Sequence, residues 1–374
     1  MLDYLLFVVI VFAVIWIATR VFLRGPDLSE FDEPRIATVG GRSEASPENA
    51  AVILGLKAMA DEVKTGPRRD QMTALRRIMD QGLLGAPVTA DELNVRIDAV
   101  DAGGVAAEWV LAPGADPSRR LLYIHGGGYF VGSPRSARML TAALSRSCGV
   151  AVLAIDYRLM PEHRRIDTIM DSQTGYRWIV DNGPAGPGPA SEVYVAGDSA
   201  GGNLALMLAA WARDEGLRQM DGVITLSPST DSTLANPSFR NNVASDPMLG
   251  PSLGLIAKMP PTLKALIGLI GGRLNPTNPI VSPLFGDLSD LPPMLVQSSY
   301  CEMLHDDAHR YVNKARSQGS PVEMQIWPGM VHVFQMLGHM LPEANEAMDE
   351  IARFVERTSG QGARPAAAIS SAVG

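Results

Sequence analysis

Past residue 90 the chain alternates between short apolar runs and longer stretches with apolar residues at helical spacing. The strand-like runs are GVAAEWVLAP, RRLLYIH, GVAVLAIDY, VYVA, DGVITLSP, PPMLVQSS and PVEMQIWP. Between them stand the helix-like segments SARMLTAALSRS, DTIMDSQTGYRWIVDN, NLALMLAAWA and DDAHRYVNKARSQ, with a last helix over 342–357. Short apolar strands alternating with helices predict a largely parallel sheet covered on both faces, the α/β class. Two helical patterns, PENAAVILGLKAMADEV and RDQMTALRRIMDQGLL, come before this alternation. Residues 232–280 interrupt it with Pro- and Met-rich segments, which predicts an insertion over one end of the sheet.

The N-terminus has a different pattern. Tyr4 to Thr19 carries no charge, Asp3 precedes the run, and Arg20 and Arg24 follow it. An apolar helix of about 20 residues is long enough to span a bilayer. A cleaved signal peptide would carry basic residues before the run, and a helix lying on a surface is the third reading. The expectation is a transmembrane anchor over 1–24, with the basic residues after it placing the rest of the chain in the cytoplasm. Residues 25–47, rich in Gly, Pro, Ser and acids, are expected to be a linker. The catalytic domain is expected over 48–358 and a disordered tail over 359–374.

Charge and cysteine content narrow the partners. The 374 residues have a formal net charge of -8 and no basic run interleaved with aromatics, which disfavours nucleic acid. Cys148 and Cys301, far apart and without CxxC spacing, indicate neither a disulfide framework nor a zinc knuckle.

The candidate chemistry begins at VYVAGDSAGGNLALML, residues 193–208, where Gly197-Asp198-Ser199-Ala200-Gly201 joins a strand to a helix with no residue to spare. This fits G-x-S-x-G, a sharp turn whose serine needs small neighbours; the competing readings are a serine that only caps the helix and a phosphate loop, and no Lys-Ser/Thr follows the glycines. A second glycine cluster, YIHGGGYFVGS, also follows its own strand. Glycines let backbone N–H groups approach the oxyanion of an acyl-transfer reaction, and the two clusters together carry more weight than either alone.

The segments HGGGY (125–129), DYRLMPEH (156–163), GDSAGGN (197–203), SP with TD (227–231), NPIVSPL (278–284) and PGMVHVF (328–334) run in one order along the chain. In this the chain resembles the hormone-sensitive-lipase-like esterases of the α/β-hydrolase superfamily. The resemblance implies Ser199 as nucleophile, His332 as general base and an oxyanion hole from the N–H groups of Gly127, Gly128 and Ala200. It also implies a helical cap from 48–90 and 232–280, and carboxylesterase action on short- to medium-chain acyl esters without metal or organic cofactor. Lactone or amide hydrolysis stays open, as does a non-catalytic ligand-binding role like that of the plant gibberellin receptors. Two segments depart from the family: RRIDTIM (164–170) stands where a PFPAA-like run is usual, and SSYCE stands before the acid.

His332 also fits the base by position, on a loop beyond the last strand in the order Ser, acid, His. His125 is expected to brace the oxyanion loop. His305 and His309 are spaced i, i+4, but a metal site would need a further ligand, and none is expected. The acid belongs on the loop after PPMLVQSS. Glu302 is the first carboxylate there, whereas Asp306 begins a helical pattern in which a carboxylate is explained by capping. Tyr129, Phe130, Met248 and Leu249 are candidates to line an acyl pocket, with core packing the equal alternative.

Overall fold

The computed structural model describes residues 1–34, 37–42, 44–65 and 70–360; the side chains at 2, 3, 8, 9, 12 and 15 also lie outside the described set. Among the described residues nine strands form the central sheet: β1 (Thr38–Val39), β2 (Arg96–Asp101), β3 (Ala106–Leu111), β4 (Asp116–Ile124), β5 (Val150–Ile155), β6 (Glu192–Asp198), β7 (Gly222–Leu226), β8 (Met294–Ser298) and β9 (Val322–Ile326). Their order is β1-β9-β8-β7-β6-β4-β5-β3-β2. Only the pairings of β3 with β2 and β5 are antiparallel; the rest of the sheet is parallel. The α/β expectation is met.

Strand alternation divides the core in two. Leu122 and Ile124 of β4, with Leu153 and Ile155 of β5, enter the cluster on one face; Leu121 and Tyr123, with Val152 and Ala154, enter the cluster on the other. Successive side chains of a strand point to opposite faces, and both faces here are covered, so the strands read as continuous apolar runs. Helices α6 (Arg165–Asp181), α7 (Ala200–Asp214) and α11 (His305–Ser317) cover one face, and α5 (Arg138–Cys148) and α12 (Pro342–Thr358) the other. The segments expected to form the cap fold as α2 (Glu48–Thr65) and α3 (Gln71–Asp80), and as α8 (Pro237–Asn241), α9 (Gly250–Ala257) and α10 (Pro261–Gly272), with α4 (Ala90–Leu93) following the first of them.

The transmembrane anchor expected over 1–24 is not supported, and the cytoplasmic orientation inferred from it goes with it. The run forms helix α1 (Leu2–Phe22), but its end is held by the cap: Asn275 Nδ2 donates to the Phe22 carbonyl at 2.9 Å, and Thr19 is buried. Among the described residues no single helix is long and apolar enough to cross a membrane; α9 and α10 reach that apolarity only as a pair bent by 119°. Some of the run's side chains fall outside the described set, as does most of the expected disordered tail.

The described residues of 25–47 are more closely packed than a linker. Leu28 enters the core, Arg310 Nε donates to Asp32 Oδ1 at 2.6 Å, and Thr38 and Val39 add a parallel edge strand to β9. Ser46 donates through both its N–H and its hydroxyl to the buried Glu343 carboxylate, at 2.6 and 2.9 Å. A two-residue strand carries no readable periodicity, and its partner lies nearly 300 residues away.

Candidate active site

Ser199 stands at the tip between β6 and α7 with φ 52° and ψ -115°, a left-handed backbone that a residue with a Cβ adopts only under constraint. The constraint is close packing beneath it. A Cβ on Gly201 would lie 1.9 Å from the Ile124 carbonyl oxygen, and one on Gly197 would lie 2.4 Å from that of Gly201. Only glycine at both places lets β4, β6 and α7 converge. Ser199 occupies the N-cap position of α7, yet its side chain makes no capping bond, so the capping reading finds no support. The hydroxyl is left for other work.

The loop after β4 lies beside this turn. Gly127 and Gly128 have φ of 106° and 62°, and the Gly127 carbonyl accepts from the N–H groups of Phe130 and Val131. Asp198 ties the two turns together, accepting from Gly126 N–H at 2.9 Å and the Tyr123 hydroxyl at 2.6 Å. Burial pushes its carboxyl up against these bonds. His125 braces the same loop: Nδ1 meets the Gly126 carbonyl at 2.8 Å, its ring stacks on Tyr157 at 4.2 Å, and the Tyr157 hydroxyl donates to the His125 carbonyl. Burial lowers the imidazole to about 4, which makes it a weak proton acceptor, and its Nδ1 is already committed to the Gly126 carbonyl, so it braces the loop rather than taking a proton. Ala200 is the first residue of α7, where backbone N–H groups have no intrahelical acceptor and favour negative charge.

His332 follows β9 on a loop, and Glu302 follows β8. Their side chains meet with Nδ1 of His332 2.8 Å from Oε2 of Glu302, both buried. The other Glu302 oxygen accepts from Ser299 N–H at 2.7 Å. Burial pushes the Glu302 carboxyl up, with the His332 bond opposing it. Burial also disfavours the imidazolium, but the Glu302 bond and charge, with Asp246 and Asp198 nearby, outweigh it and raise His332 above 6.5.

The loop after β7 links base and nucleophile. Ser227 Oγ accepts from Val333 N–H at 3.1 Å, next to His332, while Ser199 N–H donates to the Leu226 carbonyl and Ser229 N–H to that of Ser199. Asp306 instead accepts from Ser238 N–H of the cap at 2.6 Å, and Asp307 takes the N–H groups of Thr230 and Asp231. Neither bonds to His332. His305 and His309 are buried along α11, with His309 Nε2 near the Asp32 carbonyl.

The candidate pocket residues are held from the cap side. Arg76 of α3 donates to the Phe130 carbonyl at 2.7 Å, and Asp246 Oδ1 accepts from the N–H groups of Met248 and Leu249. Met248 packs against the core cluster to which Met330 and Val331 belong, and Leu249 against the small cluster of Phe239, Ala257, Met303 and Leu304. Tyr129 lies under the guanidinium of Arg165. Reading the sequence alone misses Ser227, Asp246 and Arg165. Ser227 was visible only as part of SP after a strand, Asp246 had no local signal, and Arg165 showed only as a break in a family pattern.

Residues 121–336 match the family described as alpha/beta hydrolase fold. The chain is 34% identical over 265 residues to an acetyl-hydrolase of Streptomyces hygroscopicus, covering 71% of this chain and 84% of that protein. It is 33% identical over 284 residues to an esterase of Acinetobacter venetianus, covering 75% and 88%. A solved esterase described as from the bacterial hormone-sensitive lipase family superimposes with a TM-score of 0.72 at 33% identity, over 84% of this chain and 99% of that one. With this fold, order of elements and extent of similarity, the chain belongs to the hormone-sensitive-lipase-like esterases of the α/β-hydrolase fold and is a carboxylic ester hydrolase.

Proposed function

We propose that the protein hydrolyses short- to medium-chain acyl esters through an acyl-enzyme on Ser199. The observation that carries this reading is the buried contact between Glu302 and His332, with the residue after His332 bonded to Ser227 and the strained Ser199 turn bonded to the neighbouring Leu226. His332 takes the Ser199 proton as the hydroxyl attacks the ester carbonyl, and Glu302 holds the imidazole in the tautomer that accepts on Nε2 and stabilises the cation formed. The N–H groups of Gly127, Gly128 and Ala200 receive the negative charge on the former carbonyl oxygen. His332 then returns the proton to the leaving alcohol, and water repeats the cycle to release the acid. No step calls for a cofactor. Tyr129, Phe130, Met248 and Leu249 border the acyl chain in this reading.

Relatives named acetyl-hydrolase and ethyl acetate hydrolase support the small acyl group, and a related crystal was soaked with p-nitrophenyl butyrate. A purely ligand-binding role leaves the Glu302–His332 pair without a purpose. The test is hydrolysis of p-nitrophenyl acetate, butyrate and a long-chain ester by the full chain, with Ser199→Ala as control. Turnover of the two short esters that vanishes in the variant supports the reading; absence of turnover, or its persistence in the variant, ends it.

A further inference from the structure

Arg165 is a buried cation in an unfavourable place. It opens α6, where a positive charge opposes the helix dipole, and it is only 3% exposed. Burial lowers its pKa, which Tyr129 and Tyr157 only partly offset, and its acceptor among the described residues is an amide oxygen rather than a carboxylate. An apolar side chain of similar size would be the less costly occupant. This residue belongs to the segment that breaks the family pattern, so its position calls for a reason other than packing.

Its contacts supply one. The guanidinium carbon lies 3.3 Å from the centroid of the Tyr129 ring, and Nη2 donates to Asn203 Oδ1 at 2.8 Å. Tyr129 directly follows Gly127 and Gly128 and has φ 71°, a conformation that needs outside support. Asn203 lies in the first turn of α7. Its N–H donates to the Ser199 carbonyl at 3.1 Å, and its side chain donates to the carbonyls of Ser229 and Val281. One planar group thus faces the oxyanion loop with its π surface contact and the nucleophile helix with its hydrogen bond. A lysine cannot make both contacts with one geometry.

We propose that Arg165 is a positioning residue that keeps the Gly127–Tyr129 loop in register with the Ser199 turn, so that the oxyanion donors meet the charge that develops there. The inference rests on the esterase reading above. A displacement of about 1 Å in such donors costs on the order of 100-fold in rate, while ground-state binding is little affected.

The test compares wild type, Arg165→Met, Arg165→Lys and Tyr129→Leu by p-nitrophenyl butyrate kinetics, melting temperature and affinity for an alkyl trifluoromethyl ketone, which forms the oxyanion on Ser199. Arg165→Met is expected to keep or raise the melting temperature, hold KM within about threefold, and lose about 10- to 100-fold in kcat and an equal factor in ketone affinity. Arg165→Lys should recover little of it. Tyr129→Leu breaks the same contact from the loop side and should lose both quantities together, which keeps the test decisive if Arg165→Met does not fold. Rate and ketone affinity within threefold of wild type in the folded variants would overturn the proposal while leaving the esterase reading intact. A wild-type chain that neither turns over ester nor binds the ketone overturns both.

Discussion

The Nδ1 of His332 and the Oε2 of Glu302 lie 2.8 Å apart, and both side chains are buried. A hydrogen bond to a carboxylate is stronger where water is excluded, and it fixes which imidazole nitrogen is free to accept a proton. Glu302→Gln is therefore expected to lower kcat by about 10³- to 10⁴-fold. Asp306→Asn, where the carboxylate accepts from Ser238 N–H, should cost about 1 kcal/mol of stability and little rate. Turnover and urea midpoints of both variants decide between them. A dead Asp306→Asn beside an active Glu302→Gln would mean the roles are reversed.

Ser199→Ala and His332→Ala should each abolish nearly all turnover without loss of the folded state, because nucleophile and base act as one unit. Their double variant should be no slower than the worse single one. Either single variant retaining a tenth of wild-type kcat counts against the assignment.

The elements of this site that could be read from the sequence were local ones. The close approach of β4, β6 and α7 imposes glycine within two positions of Ser199, so the turn is written in five consecutive residues. Glu302 stood out from Asp306 because one lies on a post-strand loop and the other in a helix's first turn. What stayed hidden depends on partners distant in sequence. Asp246 acquires its place only when the cap folds back on Met303, and Thr38–Val39 becomes a strand only against β9. The apolar N-terminal run has the composition of an anchor, and composition alone does not show that its end is tied to Asn275.

Residues 26–46 are expected to behave as part of the domain. A chain beginning at residue 26 should unfold close to the full chain. One beginning at Pro47 loses Leu28 from the core, both donors of Ser46 to buried Glu343, and the Asp32 partner of Arg310. Hydrogen bonds to charged groups contribute roughly 1.5 to 3 kcal/mol each, and losing one partner leaves the other buried, so the shorter chain should lose at least about 3 kcal/mol. Equal urea midpoints for the two chains would show that 26–46 is a linker after all.

His125 gives stability a pH dependence of known sign. Its folded value of about 4 lies below the ordinary 6.5, so between those values the unfolded chain binds a proton that the folded one does not. Stability then falls as the pH drops from 6.5 toward 4, by up to roughly 3 kcal/mol from this group. His125→Asn should flatten that stretch of the unfolding profile. An unchanged slope in the variant would place the acid sensitivity elsewhere.

Asp246 joins the cap to the catalytic loops with a single carboxylate. Oδ2 accepts from Met303 N–H at 2.9 Å, beside Glu302, while Oδ1 accepts from the N–H groups of Met248 and Leu249. Its charge also adds to that of Glu302 in raising His332 above 6.5. The base must be neutral to take the Ser199 proton, so kcat/KM falls as pH drops through the His332 value, and anything that lowers that value moves the acidic limb to lower pH. Asp246→Asn removes the charge but keeps an acceptor, and its amide cannot accept on both sides. The acidic limb is therefore expected to move to lower pH, with kcat reduced far less than in Glu302→Gln because the imidazole keeps its direct partner. KM for p-nitrophenyl butyrate should rise more than for the acetate, since Met248 and Leu249 lose their anchor where a longer acyl chain would reach them. A limb that stays in place would show that Asp246 does not act on His332 through charge, and equal KM changes for the two esters would remove these residues from the acyl pocket.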